Sequence, residues 1–178
     1  MTMKKLFLLA PLVLLLAVVG CKKVNQLLTF TVDVTQSVDV PISFVGTQLP
    51  KPVTVITKSE DSFRNNKTTR DKVKNVLLDK MVLTVTNPRD STFNFLQRLD
   101  VFINTPGGNN KILLASIASV PRNTNTINLT PTTERLDTYL KSDTYELTVD
   151  AKVRSGYFSA IPFTVKSDAS FKVTADPL

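Results

Sequence analysis

The chain has 178 residues, with 22 Lys and Arg against 15 Asp and Glu, a formal charge of +7 and a mean hydropathy of +0.04. That is enough for one domain with a real core and a modest basic surplus, which is the charge of a soluble surface. It has no histidine, no tryptophan and one cysteine, which removes the commonest general base, the usual zinc ligand and any intramolecular disulfide.

The chain opens on a basic stretch, Met1-Thr2-Met3-Lys4-Lys5, and Leu6 to Val19 is then apolar apart from Pro11. This run is shorter than the ~20 residues of a membrane-crossing helix. Lys22 and Lys23 follow it closely, so residues 1–20 fit a cleaved signal better than a permanent anchor. An uncleaved signal anchor, or a secretory signal with a stray thiol, explains the position of the cysteine less well.

Val18-Val19-Gly20-Cys21 ends the run with a small residue before the only thiol. This arrangement resembles the lipobox of bacterial lipoproteins. The resemblance implies cleavage before Cys21, lipidation of the Cys21 thiol, and usually acylation of the new amino group. The membrane then becomes a partner through Cys21, since several acyl chains hold firmly where one holds marginally. Lys22, where retention in the inner membrane would need Asp, implies the outer membrane. The absence of an acidic run after Cys21 favours the periplasmic face over the cell surface. Loss of Lys4 and Lys5 with the leader reduces the charge of +7 to +5.

Residues 21–26 form a lipidated tether, and residues 27–178 read as a single β domain. Valine and threonine, stiff at Cβ and suited to a pleated surface, are abundant. Phe30, Val32 and Val34 alternate with polar residues, and Val38, Val40, Ile42 and Phe44 continue in the same parity, with polar Gln36 between the sets. Val53 and Val55 follow a Pro50-Lys51-Pro52 turn, and Met81, Leu83 and Val85 run up to Asn87-Pro88. Leu99, Val101 and Ile103 precede Thr105-Pro106-Gly107-Gly108-Asn109-Asn110, and Ile112 to Ile117 returns, which predicts a hairpin. Tyr145 to Val153 alternates without a break, and Ile161 to Val173 makes one long strand or two collinear ones. One apolar face per strand, with turn signals between strands, predicts an all-β, two-sheet antiparallel immunoglobulin-like sandwich with one or two short helices.

Thr130 is the expected cap of one helix, with Pro131 at its first position, Glu134 in its first turn and a stripe of Leu136, Tyr139 and Leu140. Arg70 to Lys80 fits either a helix or the start of the strand through Val85. Lys58 to Asp71, polar except for Phe63, reads as an exposed loop. The basic stretch from Lys58 to Lys74 suits anionic headgroups beside the anchor, although a merely solvated loop is the plainer reading.

Leu83-Thr84-Val85-Thr86-Asn87-Pro88, then Leu99-Asp100-Val101-Phe102-Ile103 and Ile112-Leu113-Leu114-Ala115, carry a second resemblance. The pattern is similar to the late-embryogenesis-abundant type-2 and water-stress domains, in which a strand ends in Asn-Pro and the next strands build a sandwich. The segment Phe93 to Leu96 and the charged stretch before Val73 depart from it. The chain also resembles short, uncharacterised bacterial lipoproteins. These likenesses imply an immunoglobulin-like sandwich without an enzymatic site.

No candidate chemistry assembles in the sequence. Ser116, Ser119 and Ser155 lack an elbow motif and a histidine. Asp143, Glu146 and Asp150 are close enough in sequence to suggest paired carboxylates acting on a glycan, but Glu146 and Asp150 share the polar face of one strand, Asp33 and Asp39 sit likewise on theirs, and Glu60-Asp61 lies among lysines. Asp137, Asp143 and Asn128 are a minor calcium candidate without loop spacing. Phe93, Phe95 and Phe102 are candidates for a ligand groove, and Tyr139, Tyr145, Tyr157 and Phe158 for stacking on sugar. Of these, Tyr157 and Phe158, after Ser155-Gly156, are the candidate exposed contact pair.

The expectation is a non-catalytic binding or scaffolding lipoprotein of the cell envelope, without metal, cofactor or nucleic-acid partner. Its partner would be an envelope protein, or a glycan or lipid; a hydrolase is the weakest alternative.

Overall fold

The structure, a computed structural model, describes residues 27–40, 52–155 and 162–178. The leader, Cys21, Ile42, Phe44, Pro50-Lys51, Tyr157, Phe158 and Ile161 lie outside the described residues.

Among the described residues eight strands and two short helices follow in the order β1 (Leu28–Val40), β2 (Val53–Ile56), α1 (Ser59–Asn65), β3 (Val73–Asn87), β4 (Leu96–Asn104), β5 (Ile112–Ile117), β6 (Thr126–Pro131), α2 (Asp137–Lys141), β7 (Thr144–Val153) and β8 (Phe163–Ala175). All ladders are antiparallel, in the spatial order β1-β8-β3-β6-β5-β4-β7-β2. The sheet curls until it is nearly closed. β6 spends Thr126 to Leu129 on β3 and only Thr130 and Pro131 on β5, so it turns the corner of the sheet. The two edge strands, β1 and β2, are consecutive in sequence and share no ladder among the described residues. They flank a seam.

The barrel has two distinct ends. At the tether end Leu28 and Val73 both register with Ala175, and Ile56 registers with Thr144. At the far end Val40 registers with Phe163, Asn87 with Thr164, and Leu96 with Val153. Among the described residues the core is one cluster between Val32 and Ala175.

Helices close the tether end. At seven residues α1 is too short to persist alone. Phe63 holds it in place, 0% exposed and edge-on to Phe30 at 6.2 Å. Ser59 Oγ donates to the Leu140 carbonyl at 2.6 Å, tying α1 to α2. Leu136, Tyr139 and Leu140 are buried as their spacing predicts, and the Leu136 amide donates to the Val76 carbonyl at 2.8 Å. The Tyr139 hydroxyl donates to the Asn110 carbonyl in the β4–β5 turn. In that turn Gly107 has φ +68°, which glycine adopts without steric cost, and a Cβ on Gly108 would crowd Thr105 Oγ1 at 2.3 Å. Tyr145 faces Phe171 across the core at 6.5 Å, and burial pushes its phenol pKa up, keeping it neutral.

Two expectations change, and one open alternative is resolved in favour of the strand. Lys58 to Asp71 is not an exposed loop, because one aromatic in a polar stretch is enough to bury a helix face. Arg70 to Lys80 resolves into a single 3-10 turn, Arg70–Lys72, and the start of β3. Thr130 and Pro131 end strand β6 instead of starting a helix. Proline is tolerated where a ladder ends; Thr132 Oγ1 accepts the Glu134 amide at 3.2 Å, and the helix starts only at Asp137.

Candidate functional site: an apolar cavity at the seam

Inward parity explains where a cavity must form. β2 has four residues and leaves β7 at the Val53–Leu147 pair. β7 continues to Val153 and β1 to Val40. At the far end, therefore, one panel of wall is missing among the described strands. Inward residues at the tether end, such as Val76, Phe171 and Val173, are 0% exposed. Their counterparts beside the missing panel, Val38, Val53, Leu147, Val149 and Val165, are only half-buried.

Between them lies a cavity of about 100 Å³. β1 contributes Gln36, Val38 and Val40; β8 contributes Phe163, Val165 and Ser167; Met81 and Leu83 of β3 and Leu99 and Val101 of β4 form the floor. Leu147, Val149 and Ala151 of β7, with Val53, form the other bank. Phe93, Phe95 and Leu96 close the far end, with Phe95 4.8 Å from Phe163 and 6.2 Å from Phe93. Among the described residues no ionisable side chain lines the wall. The polar residues among those described, Gln36 and Ser167, are direct cross-strand partners. A space of this size with an apolar lining suits a small apolar group, since a cavity of about 150 Å³ holds a benzene.

The structure divides the aromatic candidates. Phe93 and Phe95 are in the wall, but Phe102 lies on the outer face of β4, with the Lys111 ammonium 4.6 Å over its ring. Tyr139 and Tyr145 are core. Tyr157 and Phe158, like Cys21, fall outside the described residues.

Of the described polar candidates that are distant in sequence, Glu60 and Asp143 are brought together, both on the Arg70 guanidinium. Asp33 accepts from Ser170 at 2.6 Å and Asp39 from Thr164 at 2.8 Å. Glu146 accepts from Asn104 Nδ2 at 2.8 Å, and Asp150 lies 3.8 Å from Arg98. Arg70 pairs with Asp143 at 2.7 Å and Glu60 at 3.2 Å, Arg64 with Asp61 at 2.7 Å, and Arg135 with Asp137 at 3.0 Å. The hydrogen bond to Asp143 is the main reason the Arg70 pKa is raised. Asn128 is exposed on β6 opposite Val82, away from Asp137 and Asp143. Ser116 pairs across strands with Asp100 and Thr130, and Ser119 and Ser155 are exposed. Among the described residues no group of three or more His, Cys, Asp or Glu side chains is placed to hold a metal ion.

No family model and no curated protein matches the chain. Among solved structures it is similar to that of Turnip Yellow Mosaic Virus, with 11% identity, 85% of this chain and 96% of that chain covered, and a TM-score of 0.26. Desmodium yellow mottle tymovirus gives 9% identity, coverage of 86% and 90%, and a TM-score of 0.28. Likeness this distant carries no argument about fold or function.

The cavity was not singled out from sequence, yet it left a trace there. Gln36 and Ser167 are the polar breaks in the apolar parities of β1 and β8, and they mark where the core stops being close-packed.

Proposed function

We propose that the chain is a lipoprotein of the cell envelope, anchored through Cys21 in the outer membrane, whose β domain binds the end of an acyl chain without catalysis. The observation that carries the binding half is the seam cavity, apolar and free of ionisable groups among the described residues. The end of a linear chain matches a space of about 100 Å³ with this lining. An anchored protein also works beside a supply of amphiphiles. The anchor half rests on Val18-Val19-Gly20-Cys21 behind the apolar run. The immunoglobulin-like grouping belongs to the same reading: the two-pair β5–β6 ladder divides the strand order into two facing halves, with the cavity between them.

On this reading the cavity stands away from the anchor. Six residues of tether reach about 21 Å at most, whereas β1 rises about 33 Å between Leu28 and Val38. A domain standing on its tether therefore holds the opening clear of its own leaflet, where it receives amphiphiles presented from the periplasm.

The test is titration of the mature chain with a fluorescent fatty acid, followed by displacement with decanoate. Saturable one-to-one binding that is lost in Val149→Phe supports the reading. Binding equal in wild type and variant, or none, refutes it. A scaffolding role remains the second reading, because β1 presents a thirteen-residue edge strand without a ladder partner on its seam side among the described residues.

A further inference from the structure

The tether end carries an unusual pair of lysines. Among the described residues three non-glycine positions have positive φ, and two of them are Lys58 at 48° and Lys67 at 54°. They bracket α1. Asparagine or glycine adopts this left-handed backbone at less cost than lysine does, so the backbone alone gives no reason for lysine at both.

The acidic groups nearby are mostly matched. Glu60 and Asp143 face Arg70, Asp61 faces Arg64, Asp176 faces Lys74 at 2.8 Å, and Asp137 faces Arg135. Lys58, Lys67, Lys72 and Lys141 have no ion pair among the described residues, against Asp71 and Glu134, which also have none. Lys72 Nζ instead donates to the Pro177 carbonyl at 2.7 Å. With Arg70 shared by two carboxylates, these groups leave the end a surplus of one positive charge, carried by lysines that have no ion pair among the described residues, and Lys22 and Lys23 precede it in the chain.

Exposed apolar side chains collect at the same end. Leu27 is 48% exposed, Ile56 65% and Leu178 72%, three of the four exposed large hydrophobic residues among those described. Leu27 adjoins the first residue of β1, Ile56 ends β2 two residues before Lys58, and the Leu178 amide donates to the Lys67 carbonyl at 3.0 Å. Lone exposed leucines need no explanation. Three on the rim where the chain enters, interleaved with unpaired lysines, form the mixed surface that settles on a lipid interface.

We propose that the tether end is a membrane-docking surface for anionic lipid headgroups, with Lys58 and Lys67 contacting phosphates and Ile56 and Leu27 dipping between the headgroups. The anchored reading supplies the choice of partner: a tether of six residues would keep this end near the bilayer. Docking fixes the domain upright, with the cavity turned away from the surface.

The experiment uses the mature chain from Lys22, without acyl groups, and vesicles of phosphatidylcholine with or without phosphatidylglycerol. Wild type should bind the anionic vesicles selectively, and rising salt should weaken binding. Lys58→Asn/Lys67→Asn should weaken it roughly tenfold or more while Tm stays level or rises, because asparagine tolerates the left-handed turn better. Lys58→Arg/Lys67→Arg, which keeps the charge, should bind as wild type does. Ile56→Thr should weaken binding at high salt, where the apolar contact remains. No selective binding, equal binding by the asparagine variant, or failure of the arginine variant to bind would each overturn the proposal. Since this chain carries no lipid, an unmodified Cys21 in native protein would count against the anchor alone and leave the vesicle result standing.

Discussion

Val149→Phe turns the sign of a stability change into a test of the cavity. Val149 lies on β7 just past the point where β2 stops pairing, half-buried and lining the void. Unfilled core space costs about 24 cal/mol per Å³, so a cavity of about 100 Å³ represents at most ~2.4 kcal/mol of unrealised packing. Phenylalanine adds four carbons, worth up to ~3 kcal/mol if all were buried at ~0.8 kcal/mol each. Because the site opens to solvent, the expected gain is about 1–2 kcal/mol. In a domain of this size that corresponds to a rise in Tm of roughly 3–6 °C. A close-packed interior would instead lose about 1–3 kcal/mol to overpacking. Urea unfolding followed by circular dichroism separates the two by the direction in which the midpoint moves at constant m. A fall of 1 kcal/mol or more would refute the cavity and the binding role built on it.

Phe63→Ala should destabilise the domain by about 3–5 kcal/mol, as for other fully buried aromatics; a midpoint unchanged in urea would return Lys58 to Asp71 to the status of a surface loop. The Asp168 carboxyl is held below its ordinary pKa, first by the hydrogen bond from Lys166 and then by that from Thr35. Its contribution is therefore present above about pH 4 and is lost as pH falls through the depressed folded value. Thr35→Val should accordingly be less stable than wild type at pH 7, and the gap should close on acid titration; a gap independent of pH would contradict this. Mass spectrometry of the native N-terminus should find a diacylglyceryl group on Cys21, and Cys21→Ser should leave the protein soluble or unprocessed; an unmodified thiol in membrane-bound protein would refute the anchor.

Strands were legible because burial on one face writes itself as period two. Met81, Leu83 and Val85, or Phe163 through Ala175, are inward in the structure for that reason alone. The stripe of Leu136, Tyr139 and Leu140 likewise announced α2. Its start was misplaced because proline suits a strand terminus and a helix N-terminus equally, and neither sequence neighbour decides between them. α1 was hidden because its burial depends on one residue, Phe63, meeting Phe30 from a strand far off in sequence. The cavity was hidden for a related reason. It arises from the unequal lengths of β2 and β7 and from a seam between the first two strands, which are relations among elements that no local pattern records. Only the polar breaks at Gln36 and Ser167 hinted at it, and each alone resembles an ordinary imperfection.

The most direct measurement is methyl NMR of leucine- and valine-labelled mature protein during titration with decanoate. The account predicts saturable shifts confined to Val38, Leu83, Leu147, Val149 and Val165 around the cavity, with Val76, Leu140 and Val173 at the tether end unmoved. Shifts spread evenly over both ends, or none at saturating decanoate, would contradict it.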